Sequence, residues 1–134
     1  MESLILAFAS DDGVNYSNNH FGDAASYLLY EFTPESAEFL KKIGNTTKGD
    51  SEEIHADPRK AGNVVNMLKK EKVQAVVSAV YGPNIKRIKT QFACVIIKQG
   101  KISDSIPFLM DNFEEIQNLW NKGEYRDFLN LKKS

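Results

Sequence analysis

The sequence predicts an α/β domain in layers around a mixed sheet. Short, nearly continuous apolar runs recur along it, of the kind that form strands covered on both faces. Amphipathic stretches of helical spacing separate the later runs, which is the alternation of an α/β fold. An early aromatic-rich run is followed by a turn and a second run that can pair back on it as a hairpin.

Residues 3–9 (SLILAFA) form the first strand, and 10–19 are turn chemistry, rich in Asp, Asn, Gly and Ser. Residues 26–32 (SYLLYEF) read as a second strand, and Pro34-Glu35 turns the chain into a hairpin strand over 36–43. A polar loop spans 44–56. A helix starts at Asp57-Pro58, where Asp caps free amides and Pro at the first position loses no needed donor. Ala61, Val64, Val65 and Leu68 then make one apolar stripe, and Lys69, Lys70 and Lys72 suit the negative end of the helix dipole. Residues 73–80 (VQAVVSAV) are another buried strand, and Tyr81-Gly82-Pro83-Asn84 turns into a short helix over 85–90 with Ile85 and Ile88 inward. Residues 92–98 form a further strand, ended by Gln99-Gly100. From Asp111 the chain is helical again, with Asp111 and Glu114 at capping-box spacing and Phe113, Ile116 and Trp120 on the apolar face. Gly123 breaks this helix, and Tyr125, Phe128 and Leu129 suggest another amphipathic turn. With no linker, repeat or low-complexity tract, residues 1–134 read as one domain.

With 134 residues, 42% hydrophobic and 26% charged, the chain has globular composition and enough length to bury a core. The one cysteine, Cys94, excludes an internal disulfide and an all-cysteine cage, and its apolar surroundings read as a buried thiol. Nothing reaches the roughly 18 apolar residues of a membrane span, and no basic-then-apolar leader opens the chain, so a soluble cytoplasmic protein is expected. The net charge of −1 hides an asymmetry: residues 1–57 carry eleven acids and three bases, residues 58–134 seven acids and fourteen bases. Between Glu71 and Asp104 there is no acid, while Lys72, Lys86, Arg87, Lys89, Lys98 and Lys101 fall there. Such a local field suits an anionic ligand, or is a solvated lysine-rich surface.

Ligands of such sheets gather outside the carboxyl ends of parallel strands. Two loops satisfy that rule: the one leading to His20-Phe21-Gly22-Asp23-Ala24, and Gly82-Pro83-Asn84, which opens a helix near Lys86 and Arg87. A lone loop histidine is a metal ligand, a pH-sensitive donor, a structural hydrogen-bonder or a surface residue. His20 and His55 are the only imidazoles, too few for a closed zinc site without cysteine. There is no phosphate-binding glycine loop, no histidine pair on one helix and no Ser-His-Asp order. Asp11 and Asp12 read as turn formers, so catalysis has little support.

The order of these features resembles the dinitrogenase iron–molybdenum cofactor biosynthesis proteins over nearly the whole chain. Ser10-Asp11-Asp12-Gly13 after the first strand is similar to the family's opening. Asn19 to Ala24 resembles its H-F-G-R-A motif, with Asp23 where arginine is usual, and Gly82-Pro83-Asn84 resembles its G-P-N turn. The resemblance implies a ribonuclease H-like fold, a five-stranded mixed sheet flanked by helices. It further implies non-enzymatic binding of an iron–sulfur or iron–molybdenum cluster, or its precursor. His20 would be the metal ligand, Phe21 would shield the cluster from water, and Gly22 would let backbone approach. The turn at Gly82, Pro83 and Asn84 would wall the site, and Lys86 and Arg87 would offset cluster charge. The implied partners are the metallocluster and cluster-assembly proteins, with no nucleic acid and no membrane; a homodimer through an edge strand is open. The alternative is a protein–protein interaction module that has kept the fold and lost the cluster, with Trp120, Tyr125 and Phe128 as its docking surface. A hydrolase acting on phosphate esters or nucleic acid rests on the fold name alone.

Overall fold

The structure, a computed structural model, describes residues 2–45, 58–98 and 100–131, and the side chains of all of these except 58–63. Along these residues the elements are β1 (Leu4–Ser10), β2 (Ser26–Phe32), β3 (Ala37–Gly44), α1 (Pro58–Lys70), β4 (Ala75–Ser78), α2 (Ile85–Gln91), β5 (Ala93–Ile96), α3 (Ile102–Asp111), α4 (Phe113–Asn121) and β6 (Phe128–Asn130). The sheet runs β3-β2-β1-β4-β5-β6. β1, β4, β5 and β6 are parallel neighbours, and β2 is antiparallel to both β1 and β3. The mixed sheet is as predicted; its strand count is six and not five. Tyr125, Phe128 and Leu129 have helical spacing, but Phe128 and Leu129 pair in register with Cys94 and Val95. That pairing gives partners to the main chain of an otherwise open β5 edge.

β1 is apolar from Leu4 to Ala9 because the sheet is covered on both sides. Leu4, Leu6 and Phe8 join one core cluster with Ile102 and Leu109 of α3 and Phe113, Ile116 and Leu119 of α4. Ala7 and Ala9 join the other with Tyr27, Leu29, the α1 stripe of Val64, Val65 and Leu68, and Ile88 of α2. α1 closes at Lys72, which has φ 64°, while the amides of Glu71 and Val73 both donate to the Leu68 carbonyl. Asp57, the expected cap, lies outside the described residues, as does His55.

α3 was not predicted. Pro107 stands inside it and reads as a breaker, yet α3 buries Ile102, Ser105 and Leu109 along one side. The Asp111–Glu114 capping box does not form. Asn112 occupies the junction of α3 and α4, and its side-chain amide donates back to the Phe108 carbonyl at 2.8 Å. Leu119, rather than the half-buried Trp120, completes the α4 face.

β3 is an exposed edge, blunted by its own sequence. The register slips at Leu40, between the pairs Tyr30–Phe39 and Leu29–Lys41, which bulges the strand, and Lys41 and Lys42 follow. Cys94 is fully buried in β5, and burial pushes its thiol up to about 12. Among the described residues no helix is long and apolar enough to cross a membrane.

Candidate functional site

β1 and β4 are parallel neighbours, so their carboxyl ends adjoin and the loops that follow them share a rim. The first loop is held by its two acids. Asp12 accepts the amides of Val14 and Asn15 and the Asn15 side chain, each at 2.8 Å. These donors, the Asn15 amide foremost, hold its carboxyl well below the usual carboxylate range. Asp11 ties the two ends of the loop together: it accepts from Ser17 Oγ at 2.9 Å, Asn19 Nδ2 at 3.0 Å and the Ala25 amide at 2.8 Å. Both acids are turn formers, and together they fix the approach to residue 20.

His20 makes a single parallel bridge with Val80, two residues past the end of β4. Its imidazole then lies directly on Gly82. A Cβ at position 82 would sit 2.5 Å from His20 Nδ1, 2.6 Å from Cγ and 2.8 Å from Cε1. Gly82 also has φ +75°, where side chains are disfavoured. Glycine is thus required twice, by the backbone and by the ring. The three distances are nearly equal, so the ring lies face-on over Gly82, displaced slightly toward Nδ1. The imidazole remains half-buried.

Phe21 corrects an expectation. It is fully buried and cannot cover a surface ligand. Its ring stacks on Tyr81 at 5.5 Å and packs on Tyr27 at 5.1 Å, within the core between the sheet and the α1–α2 layer. The polar string before it made the ring look exposed; the ring joins the core cluster that also holds Ala7 and Ala9. Tyr27 donates to the Phe21 carbonyl at 2.6 Å, and Asn45 donates to the carbonyls of Gly22 at 2.9 Å and Ala24 at 2.8 Å. The buried Tyr81 hydroxyl points at the carbonyls of Val95 (2.7 Å) and Val76 (2.9 Å), and burial holds it protonated, well above its ordinary pKa. Tyr27, Tyr81 and Asn45 are structural supports of these loops that the sequence did not reveal. Only the aromatic richness of 26–32 hinted at the first, and nothing marked Asn45 among its polar neighbours.

Gly22 differs from Gly82. A Cβ there would meet nothing within 4 Å. The fold does not need glycine at 22, so its absent side chain leaves open space beside the imidazole's loop. Asn84 precedes α2 and accepts the amides of Arg87 and Ile88 at 3.0 Å through its carbonyl; its side chain caps nothing. Pro83, Lys86 and Arg87 are exposed around this turn. A third loop joins the rim: Asn15 bridges Lys101, the Tyr16 amide donates to Gly100, and the Ile102 amide donates to Val14. Exposed Lys98 and Lys101 thereby stand on the same end of the sheet.

The rim thus combines one accessible imidazole, a glycine-bared surface and a set of cations. Among the described residues no group of three His, Cys, Asp or Glu side chains could hold a metal ion. Cys94 is sealed within the core and contributes no thiolate. Such a donor set cannot assemble a metal cage; it can offer one nitrogen to a metal group that brings its other ligands with it. A cleft of about 540 Å³ lined by Glu2, Pro34, Asp111, Phe113 and Glu114, among others, shares no residue with this rim.

A family model described as dinitrogenase iron–molybdenum cofactor matches residues 2–111. No curated protein matches the chain. Among solved structures, a protein of Methanocaldococcus jannaschii, provisionally described as a dinitrogenase, aligns with a TM-score of 0.53 at 18% identity, over 86% of this chain and 91% of its own. The crystal structure of PH0822 aligns with a TM-score of 0.57 at 16% identity, over 93% of this chain and 96% of its own. At these identities the likeness shows a shared fold.

Proposed function

The chain belongs to the dinitrogenase iron–molybdenum cofactor family, and on that premise we propose that it binds and carries a preformed iron–sulfur or iron–molybdenum cluster, or its precursor, without catalysing a reaction. The single observation that carries this reading is the imidazole of His20 laid face-on over Gly82, half-buried at the rim. A neutral imidazole held in one orientation is a terminal metal ligand that costs little further ordering on binding. One protein ligand suits cargo, which must leave again; a resident cofactor is usually held by several. Lys86, Arg87, Lys98 and Lys101 offset the negative charge of such a cluster, and the open surface at Gly22 admits its bulk.

The carboxylates support the non-catalytic part. Both oxygens of Asp11 and of Asp12 are engaged in holding the loop, so the pair nearest the rim is committed to structure. We read the order β3-β2-β1-β4-β5 with β2 antiparallel as the ribonuclease H-like arrangement, with β6 added at its edge. The partners on this reading are cluster-assembly proteins of the cytoplasm. A second reading, an interaction module without cargo, is favoured by the exposure of Tyr125 (86%) and Phe128 (43%) beside β6.

Metal analysis of protein purified and reconstituted anaerobically with iron and sulfide separates the two. Wild type takes up iron with a cluster absorption band, and His20→Ala loses most of it while keeping its fold by circular dichroism. Equal metal in both proteins, or none in either, overturns the cargo reading.

A further inference from the structure

The helices on the two faces of the sheet carry opposite charge. α1 and α2 pack on one core cluster, and their described side chains include five cations and no acid. α3 and α4 pack on the other, with four acids and no cation. The basic helices adjoin at their carboxyl ends, where Lys69 Nζ donates to Gln91 Oε1 at 2.5 Å. Glu71, the carboxylate just beyond α1, is bridged at 2.6 Å to Lys41 of β3 and does not neutralise the face. Lys69, Lys70 and Lys86 are exposed, and Lys89 is half-buried.

We propose that the α1–α2 layer is a docking face for a partner protein that presents a clustered acidic surface. Like charges on one face repel one another when nothing covers them, and they gain most from a surface of opposite sign. The chemistry of the face favours a protein over a nucleic acid. No described exposed residue of α1 or α2 carries an aromatic ring on which a base could stack. A long polyanion would also meet the acidic α3–α4 layer as it followed the surface, whereas a compact acidic protein face meets the basic layer alone. The face is continuous with the rim, because α2 begins one residue after Asn84. Resting on the cargo reading, the docked partner stands beside His20, where a cluster would be handed over.

The test uses metal-free, isotope-labelled protein, so that docking is read without cargo. The probes are a synthetic helical peptide with glutamates along one side, the same peptide with lysines instead, and a short DNA duplex. The glutamate peptide is expected to shift amide resonances of α1 and α2 and to leave α3 and α4 unmoved. Its affinity falls by about tenfold or more between low and physiological salt. Lys70→Glu combined with Lys89→Glu weakens it by about tenfold again, while iron uptake at His20 stays at the wild-type level. The proposal is overturned if the glutamate peptide does not bind, if charge reversal leaves its affinity unchanged, if the DNA binds more tightly, or if the shifts map elsewhere. Loss of iron uptake in His20→Ala reports on the cargo reading alone, so the two fail separately.

Discussion

The ring of Phe21 lies on that of Tyr81 at a centroid distance of 5.5 Å and an interplanar angle of 24°. The two rim segments are therefore joined by side chains twice, by this stack inside the core and by His20 on Gly82, and by main chain at the His20–Val80 bridge. The loops are positioned by buried aromatic packing, and the imidazole inherits its place from it.

Phe21→Ala tests that inheritance. The ring is fully buried between two tyrosines, so its removal leaves a cavity and is expected to cost about 3–5 kcal/mol, read from the denaturant midpoint. The His20 imidazole resonances should broaden or move although residue 21 touches no ligand. A variant as stable as wild type contradicts the packing described.

The glycines at 22 and 82 should behave oppositely. Gly82→Ala places a methyl 2.5 Å from Nδ1 at φ +75°, so the ring must swing away and the backbone is strained by about 1–2 kcal/mol. Gly22→Ala meets nothing within 4 Å and should leave thermal stability within about 0.5 kcal/mol of wild type. If cargo seats over residue 22, the same alanine still lowers iron uptake. Comparison of melting temperature and metal content across the two variants separates a fold requirement from a binding requirement.

Much of this was legible in the sequence, for physical reasons that also explain the failures. Leu4 to Ala9 announces a two-sided strand because every position but the half-buried Ile5 is buried; β2 matches its predicted bounds, and α1 shows its stripe of Val64, Val65 and Leu68. Gly82 stood out as a turn residue, but its contact with an imidazole sixty-two positions earlier is a tertiary fact. α3 was hidden by Pro107, whose lost hydrogen bond is offset by the burial of Ile102 and Leu109. β6 was hidden because three residues acquire strand character only from the β5 edge they pair with. Phe21 misled because its neighbours are polar, while its true surroundings, Tyr27 and Tyr81, are set by the fold.

Arg126 fastens the β6 segment to α2. It is 6% exposed; Nε donates to the Trp120 carbonyl at 3.0 Å and Nη1 to Thr90 at 3.0 Å, and the guanidinium lies 4.3 Å above the Trp120 ring. Arg126→Met keeps the stem and strands these carbonyls, an expected loss of about 1–3 kcal/mol by urea unfolding, with a shift in Trp120 fluorescence. Arg126→Lys should rescue little, since an ammonium cannot present the planar fork.

Alkaline pH should weaken the fold through Cys94. Burial raises its folded pKa to about 12, whereas the thiol of the unfolded chain ionises near 8.5. Between those values the unfolded chain binds fewer protons than the native state, so stability declines as pH rises, at up to about 1.4 kcal/mol per unit. Tyr16, Tyr27 and Tyr81 are displaced upward by burial and add loss of the same sign above about pH 10. Urea midpoints from pH 7.5 to 10 should therefore fall in wild type and fall less steeply in Cys94→Ala, whatever the lower starting stability of that variant. The same burial makes the thiol's reaction with a disulfide reagent track global unfolding. Parallel pH slopes for the two proteins, or rapid labelling of the native state, would place Cys94 outside the core.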